Sequence, residues 1–168
     1  LDMALATYKR AEKLGTTGFD YELANLQGMR GDFEGMVDAY MALLSTKPNY
    51  LRTVQNSLNR NLRLTTIEDN RELVRVSLLR AIQKYPDNTV FPELLVWHFN
   101  QIRDFASSVV HAKALDLRLD EQGVRLMELG NTAQANGDTD TALECYRYVA
   151  SMGPRNPYYF TARNEVLQ

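Results

Sequence analysis

An all-α fold built from consecutive antiparallel helix pairs is predicted by three features of this chain. Apolar residues recur at spacings of three and four, the period of one helix face. Turns containing aspartate return at regular intervals, and prolines close the segments between them. No run of strict alternation is bounded by hairpin turns, and strand formers such as Val109-Val110 fall inside helical spacing.

The elements follow in order. Residues 1–18 read as a helix, with Met3, Leu5, Tyr8 and Leu14 on its apolar face. Residues 19–50 hold a helix through Leu23 and Ala24, a turn at Arg30-Gly31-Asp32-Phe33, and a second helix bearing Met36, Val37, Tyr40, Leu43 and Leu44. Pro48 ends it. In such a turn the glycine stops one helix and the aspartate caps the next. Residues 51–88 begin with a helix from Tyr50 to about Leu64, have turn chemistry only in Asp69-Asn70, and close at Pro86.

Residues 89–122 carry an apolar helix, Pro92 to Phe99, a turn at Ile102-Arg103-Asp104-Phe105 without glycine, and a helix ending at Asp120 where proline is expected. Residues 123–156 hold Leu129-Gly130, the turn Asn136-Gly137-Asp138-Thr139, then Ala142, Leu143, Tyr146 and Val149, and Pro154. Residues 157–168 form a last helix, either the first of a further pair or a cap. The three aligned turns lie 72 and 34 residues apart, so the period is 34 with one unit stretched by four.

This period and these residues resemble the tetratricopeptide repeat, above all in the unit containing Leu129-Gly130, Gly137-Asp138, Ala142, Tyr146 and Pro154. The resemblance covers nearly the whole chain. It implies a right-handed superhelical solenoid, one repeat domain over residues 1–168, and an excerpt of a longer array with further units beside it.

Composition bounds the function. With 168 residues, 45% hydrophobic and 24% charged, the chain can build a core and is not intrinsically disordered. Its 21 acids against 19 bases leave a net charge of −2, which gives no global pull toward nucleic acid. No stretch approaches the ~18 apolar residues of a membrane span, and Leu1-Asp2-Met3 lacks the basic and apolar halves of a signal peptide. The compartment stays open.

Enzyme motifs are missing, so catalysis, cofactors and metal are not expected: there is no phosphate loop, dinucleotide fingerprint, H-E-x-x-H, C-x-x-C or nucleophile elbow. His98 and His111 lie on different helices, without metal-ligand spacing. Cys145, the single cysteine, sits on an apolar face with no neighbouring base and reads as a buried, inert thiol.

What remains is surface. In the repeats the chain resembles, the first helix of each pair lines a concave groove, and its ligand positions fall here on Tyr21, Glu22, Asn25, Gly28 and Met29; on Asn56, Asn59, Arg60 and Arg63; on Glu93, Leu94, Trp97, Asn100 and Gln101; and on Met127, Glu128, Asn131 and Gln134. The leading contacts are Tyr21, Asn25, Asn56, Arg60, Arg63, Trp97, Asn100 and Asn131. Side-chain amides both donate to and accept from an extended backbone, which suits a protein or peptide partner.

Asn56, Arg60 and Arg63 at i, i+4 and i+7 would form one stripe for an acidic partner. Seven bases against three acids between Tyr50 and Tyr85 also mark that region, although Arg71 and Arg75 could simply offset Glu68 and Glu72. Trp97, the only tryptophan, has two placements, as core filler or as a groove anchor beside Leu94. The carboxylate clamp of the family's chaperone-binding members is not expected, because only Asn25 of that set is present. The alternative to groove binding is a structural segment whose ends or convex face mediate assembly.

Overall fold

In the computed structural model, which describes residues 19–167, all regular structure is helical. Among the described residues the order is α1 (Asp20–Met29), α2 (Phe33–Thr46), a 3-10 turn (Pro48–Tyr50), α3 (Leu51–Leu62), α4 (Glu68–Lys84), α5 (Val90–Gln101), α6 (Phe105–Leu119), α7 (Val124–Ala135), α8 (Thr139–Ser151) and α9 (Tyr159–Leu167). The helix expected over residues 1–18 lies outside the described residues. No helix among them is long and apolar enough to cross a membrane.

The chain divides into two compact units, one ending at Leu94 and the other beginning at Leu95. In the first, α1 packs along α2, α2 on α4, and α1 on α3. Met36, Val37, Tyr40 and Leu44 of α2 are fully buried, as their spacing in the sequence predicts, and so are Val54 and Leu58 of α3 and Val74 and Leu78 of α4. In the second unit α7 packs along α8, α8 along α9, and α6 against both α7 and α8. Its core joins Phe105, Val109, Ala112, Leu126, Leu129, Tyr146 and Val149.

Three turns share one construction. The carboxylates of Asp32, Asp104 and Asp138 accept from the backbone N–H three residues on, Gly35 at 2.9 Å, Ser107 at 3.1 Å and Thr141 at 3.1 Å, and so cap α2, α6 and α8. The same aspartates donate their own N–H to the carbonyl five residues back, on Gln27, Phe99 and Ala133, at 3.0, 2.9 and 3.0 Å. The residue before each aspartate is left-handed: Gly31 at φ 79°, Gly137 at 83°, and Arg103 at 59°. A side chain in that region is strained, so Arg103 holds at some cost a turn that glycine makes freely.

Gly130 serves packing instead. A Cβ there would stand 2.7 Å from the Tyr146 ring and 3.1 Å from the Cys145 Cβ, so its absence lets α7 and α8 touch.

The unit spanning residues 51–88 departs from the expected turn. Asp69 and Asn70 lie within the first turn of α4, and the break falls earlier, at Arg63, whose φ of 46° ends α3. The carbonyls left open there are claimed from α4. Asn70 donates to the Leu62 oxygen at 2.8 Å, and Arg71 to the oxygens of Leu64 and Thr65, both at 2.6 Å. Asp120 ends α6 in the same left-handed way, φ 52°, where the repeat pattern would have proline.

Candidate functional site

Four of the eight leading contacts, Tyr21, Asn25, Asn56 and Arg60, lie on the packed pair α1 and α3. Tyr21 rises from the first turn of α1, and its hydroxyl shares a 3.0 Å hydrogen bond with the Ser57 hydroxyl on α3. Ser57 is buried, so this bond also satisfies a polar group within the helix packing. Tyr21 lies among rings, 6.1 Å from Tyr40 and 6.2 Å from Tyr50. Its phenol is held below the ordinary value of 10.0, first by the bond with Ser57, then by Asn25 and the nearby Arg60 guanidinium, against the opposing effect of burial. Asn56 and Arg60, one helical turn apart, are exposed beside Ser57.

The arrangement offers a phenol, an amide and a cation around an aromatic floor. These groups can hold a carboxylate or a backbone carbonyl at the cation and donate to further acceptors. Sequence reasoning missed Ser57, whose signal was available: a serine at an apolar register position of α3 needs a buried partner.

Asn25 is bonded within the helix pair. Its Oδ1 accepts from the Tyr40 hydroxyl at 2.9 Å, and its Nδ2 donates to the Tyr21 carbonyl at 3.0 Å. Asn131 repeats the arrangement in the second unit, accepting from the Tyr146 hydroxyl at 2.8 Å, with Gln134 accepting from it at 2.9 Å. Both pairs are 15 residues apart in sequence and lie at equivalent places in two helix pairs. These asparagines fasten the first helix of a pair to the second, and Asn25 is not a free donor in the groove. Asn131 remains exposed.

Arg63 does not join the stripe. The helix ends at Leu62, so Asn56 and Arg60 share a face and Arg63 leaves it as an exposed left-handed residue. The local excess of bases is likewise dispersed. Arg75 forks onto Glu72 with two bonds of 2.7 Å, Arg71 braces the loop after α3 and stands 3.7 Å from Glu68, and only Arg60 of this set stands beside Tyr21. The offsetting of Glu68 and Glu72 by Arg71 and Arg75 is therefore realised.

Trp97 and Asn100 belong to α5 and the second unit. Trp97 is half-buried, whereas Leu94, expected beside it in a groove, is fully buried. Leu94, Leu95, Val96, His98 and Phe99 are all buried, so this helix is covered nearly all round and Trp97 has only part of its ring for any ligand. The Asn100 Oδ1 is enclosed without a hydrogen-bond partner among the described residues.

Reactive groups are muted. The Cys145 thiol is fully buried, and burial pushes its pKa up to about 12, which disables it as a nucleophile. His111 stacks on Phe99 at 5.5 Å, and burial lowers its pKa below 6.5. Among the described residues no group of three or more His, Cys, Asp or Glu converges as a metal site would require.

Comparison of the chain with known protein families, curated proteins and solved structures finds no match.

Proposed function

We propose that the chain is a non-catalytic protein-interaction module: a right-handed superhelical array of the tetratricopeptide kind that holds a protein or peptide segment along the first helices of its pairs. The observation that carries this reading is the α1–α3 patch, where Tyr21, Asn56, Ser57 and Arg60 place one cation and several hydrogen-bonding groups over tyrosine rings. The repeated aspartate turn and the repeated Asn–Tyr pair support the family resemblance, since both return at the same register 106 residues apart. An extended segment with an acidic residue suits Arg60, while a nucleic acid would call for a broad basic face.

A second reading is a structural segment of a longer array whose ends or convex face mediate assembly. One observation favours it: Asn25 is occupied internally and Asn131 receives a tyrosine hydroxyl, which thins the amide ladder.

The test is affinity capture with the native chain and with an Asn56→Ala, Arg60→Glu variant of equal helicity by circular dichroism. Partners held by the native chain and lost by the variant support groove binding. Partners held equally by both favour the structural reading.

A further inference from the structure

The crossing of α2 and α4 in the first unit leaves a groove of about 370 Å³. It exists because the facing positions are small: Ala42 on α2, with Ser77 and Ala81 on α4, and Met41 beside them. Ser77 and Ala81 are each only 5% exposed, so the floor is part of the packed helix surface. This volume accommodates one or two side chains.

The rim is charged. Arg80 and Lys84 stand one helical turn apart on α4, and both line the groove. Arg80 makes no ion pair among the described residues, unlike Arg71 and Arg75 on the same helix. The Lys84 ammonium rests 5.1 Å over the Tyr85 ring, which keeps it at the rim. The same ammonium, followed by Ser45, holds the Tyr85 phenol below its ordinary value. Asp38 is the one acid on the lining, and it is exposed.

The corresponding crossing of the second unit carries an ion pair. There α6 packs on α8 as α2 does on α4, and Lys113 spans to Glu144 at 2.6 Å while lying 5.4 Å over the Tyr148 ring. In the first unit the floor carries alanine and serine, and neither Arg80 nor Lys84 makes an ion pair with Asp38, the carboxylate on the facing helix, among the described residues.

We propose that this groove docks an extended acidic segment of a partner protein, with two carboxylates on Arg80 and Lys84 and an apolar side chain between them on the Ala42–Ala81 floor. Ser77 and Asp38 then meet the segment's backbone, the aspartate accepting from its N–H groups. Charge complementarity selects the ligand, since two rim cations against one carboxylate attract an acid-rich chain and repel a basic one. No residue is shared with the α1–α3 patch, so the two sites stand or fall separately.

The test is fluorescence anisotropy with a labelled peptide of alternating glutamate and leucine, and its lysine–leucine counterpart as control. The chains compared are the native one, an Arg80→Glu, Lys84→Glu variant, the milder Arg80→Gln, Lys84→Gln variant, and an Arg52→Glu, Arg147→Glu variant with the same charge change at exposed residues outside both sites. All must match in circular dichroism, and the glutamine pair stands in if the charge reversal disturbs folding. Saturable binding of the acidic peptide, weakened roughly tenfold or more by the groove variants and unchanged to within about twofold by the Arg52, Arg147 pair, is expected. The proposal is overturned by no saturable binding, by equal loss in both charge-reversed variants, or by equal binding of the lysine peptide. It is also overturned if a single-stranded oligonucleotide binds the groove in preference to the peptide, or if the native chain self-associates and the groove variants do not.

Discussion

Arg103 is one of four described non-glycine residues with a left-handed backbone. Its φ of 59° stands where Gly31 and Gly137 occur in the sister turns, and a left-handed side chain costs on the order of 1 kcal/mol. Arg103→Gly is therefore expected to raise the thermal midpoint by a few degrees, whereas Gly137→Ala should lower it by a similar amount. Cys145 gives a pH signature. Its thiol ionises near 9.0 when exposed and near 12 in the folded chain, so the unfolded state sheds its proton first as pH rises. The stability linked to this thiol is fully present below pH 9 and declines from there toward 12. Urea midpoints should thus fall more steeply above pH 9 in the native chain than in Cys145→Ala; parallel slopes would refute the buried-thiol account. The asparagines show bonds within the fold that residue-scale reading did not anticipate. An amide on a helix suggests a ligand, but Asn25 with Tyr40 and Asn131 with Tyr146 recur together at one spacing, and that paired recurrence was the legible sign of an internal bond.

At the scale of elements, close helix approach has a specific cause in the second unit. Gly130 lies against Tyr146 with no room for a methyl group, whereas Ala24 at the equivalent place in α1 is accommodated and fully buried. Gly130→Ala is expected to destabilise the chain by about 1–3 kcal/mol, read from chemical unfolding with an unchanged denaturant slope. Asn70→Ala should cost about 1–3 kcal/mol as well, because the buried Leu62 carbonyl loses its donor. Helix starts, turns and proline stops were legible because capping and periodicity are local. The end of α3 was not, since Asn70 and Arg71 reach back from the following helix to settle the carbonyls of Leu62, Leu64 and Thr65. That shift of the break to Arg63 also removed Arg63 from the predicted stripe.

For the molecule as a whole, a net charge of −2 leaves no long-range field to gather a charged partner, so the proposed recognition would rest on local groups such as Arg60 and the Arg80–Lys84 rim. Affinity for an acidic segment should fall a few-fold as salt shortens the screening length below about 10 Å, reflecting one or two contacts rather than a basic face. A salt dependence of several decades would point to a polyanion instead. The all-helical class followed from the sequence because every segment carries its own period and stop; the proposed binding surface did not, because it depends on which polar groups the packing has already satisfied. Asn25 is bonded across a helix pair, Arg71 to the loop after α3 and Arg75 to Glu72 on its own helix, whereas Asn56, Arg60 and Arg80 are exposed.

The α1–α3 face is proposed to hold a segment of another protein. The most direct measurement is a titration of the isotope-labelled chain, followed by amide chemical shifts, with a peptide selected against it from a random display library. The account predicts shifts concentrated at Tyr21, Asn56, Ser57 and Arg60 that vanish in Asn56→Ala, Arg60→Glu, whereas shifts that spare these residues, or that persist in the variant, would contradict it.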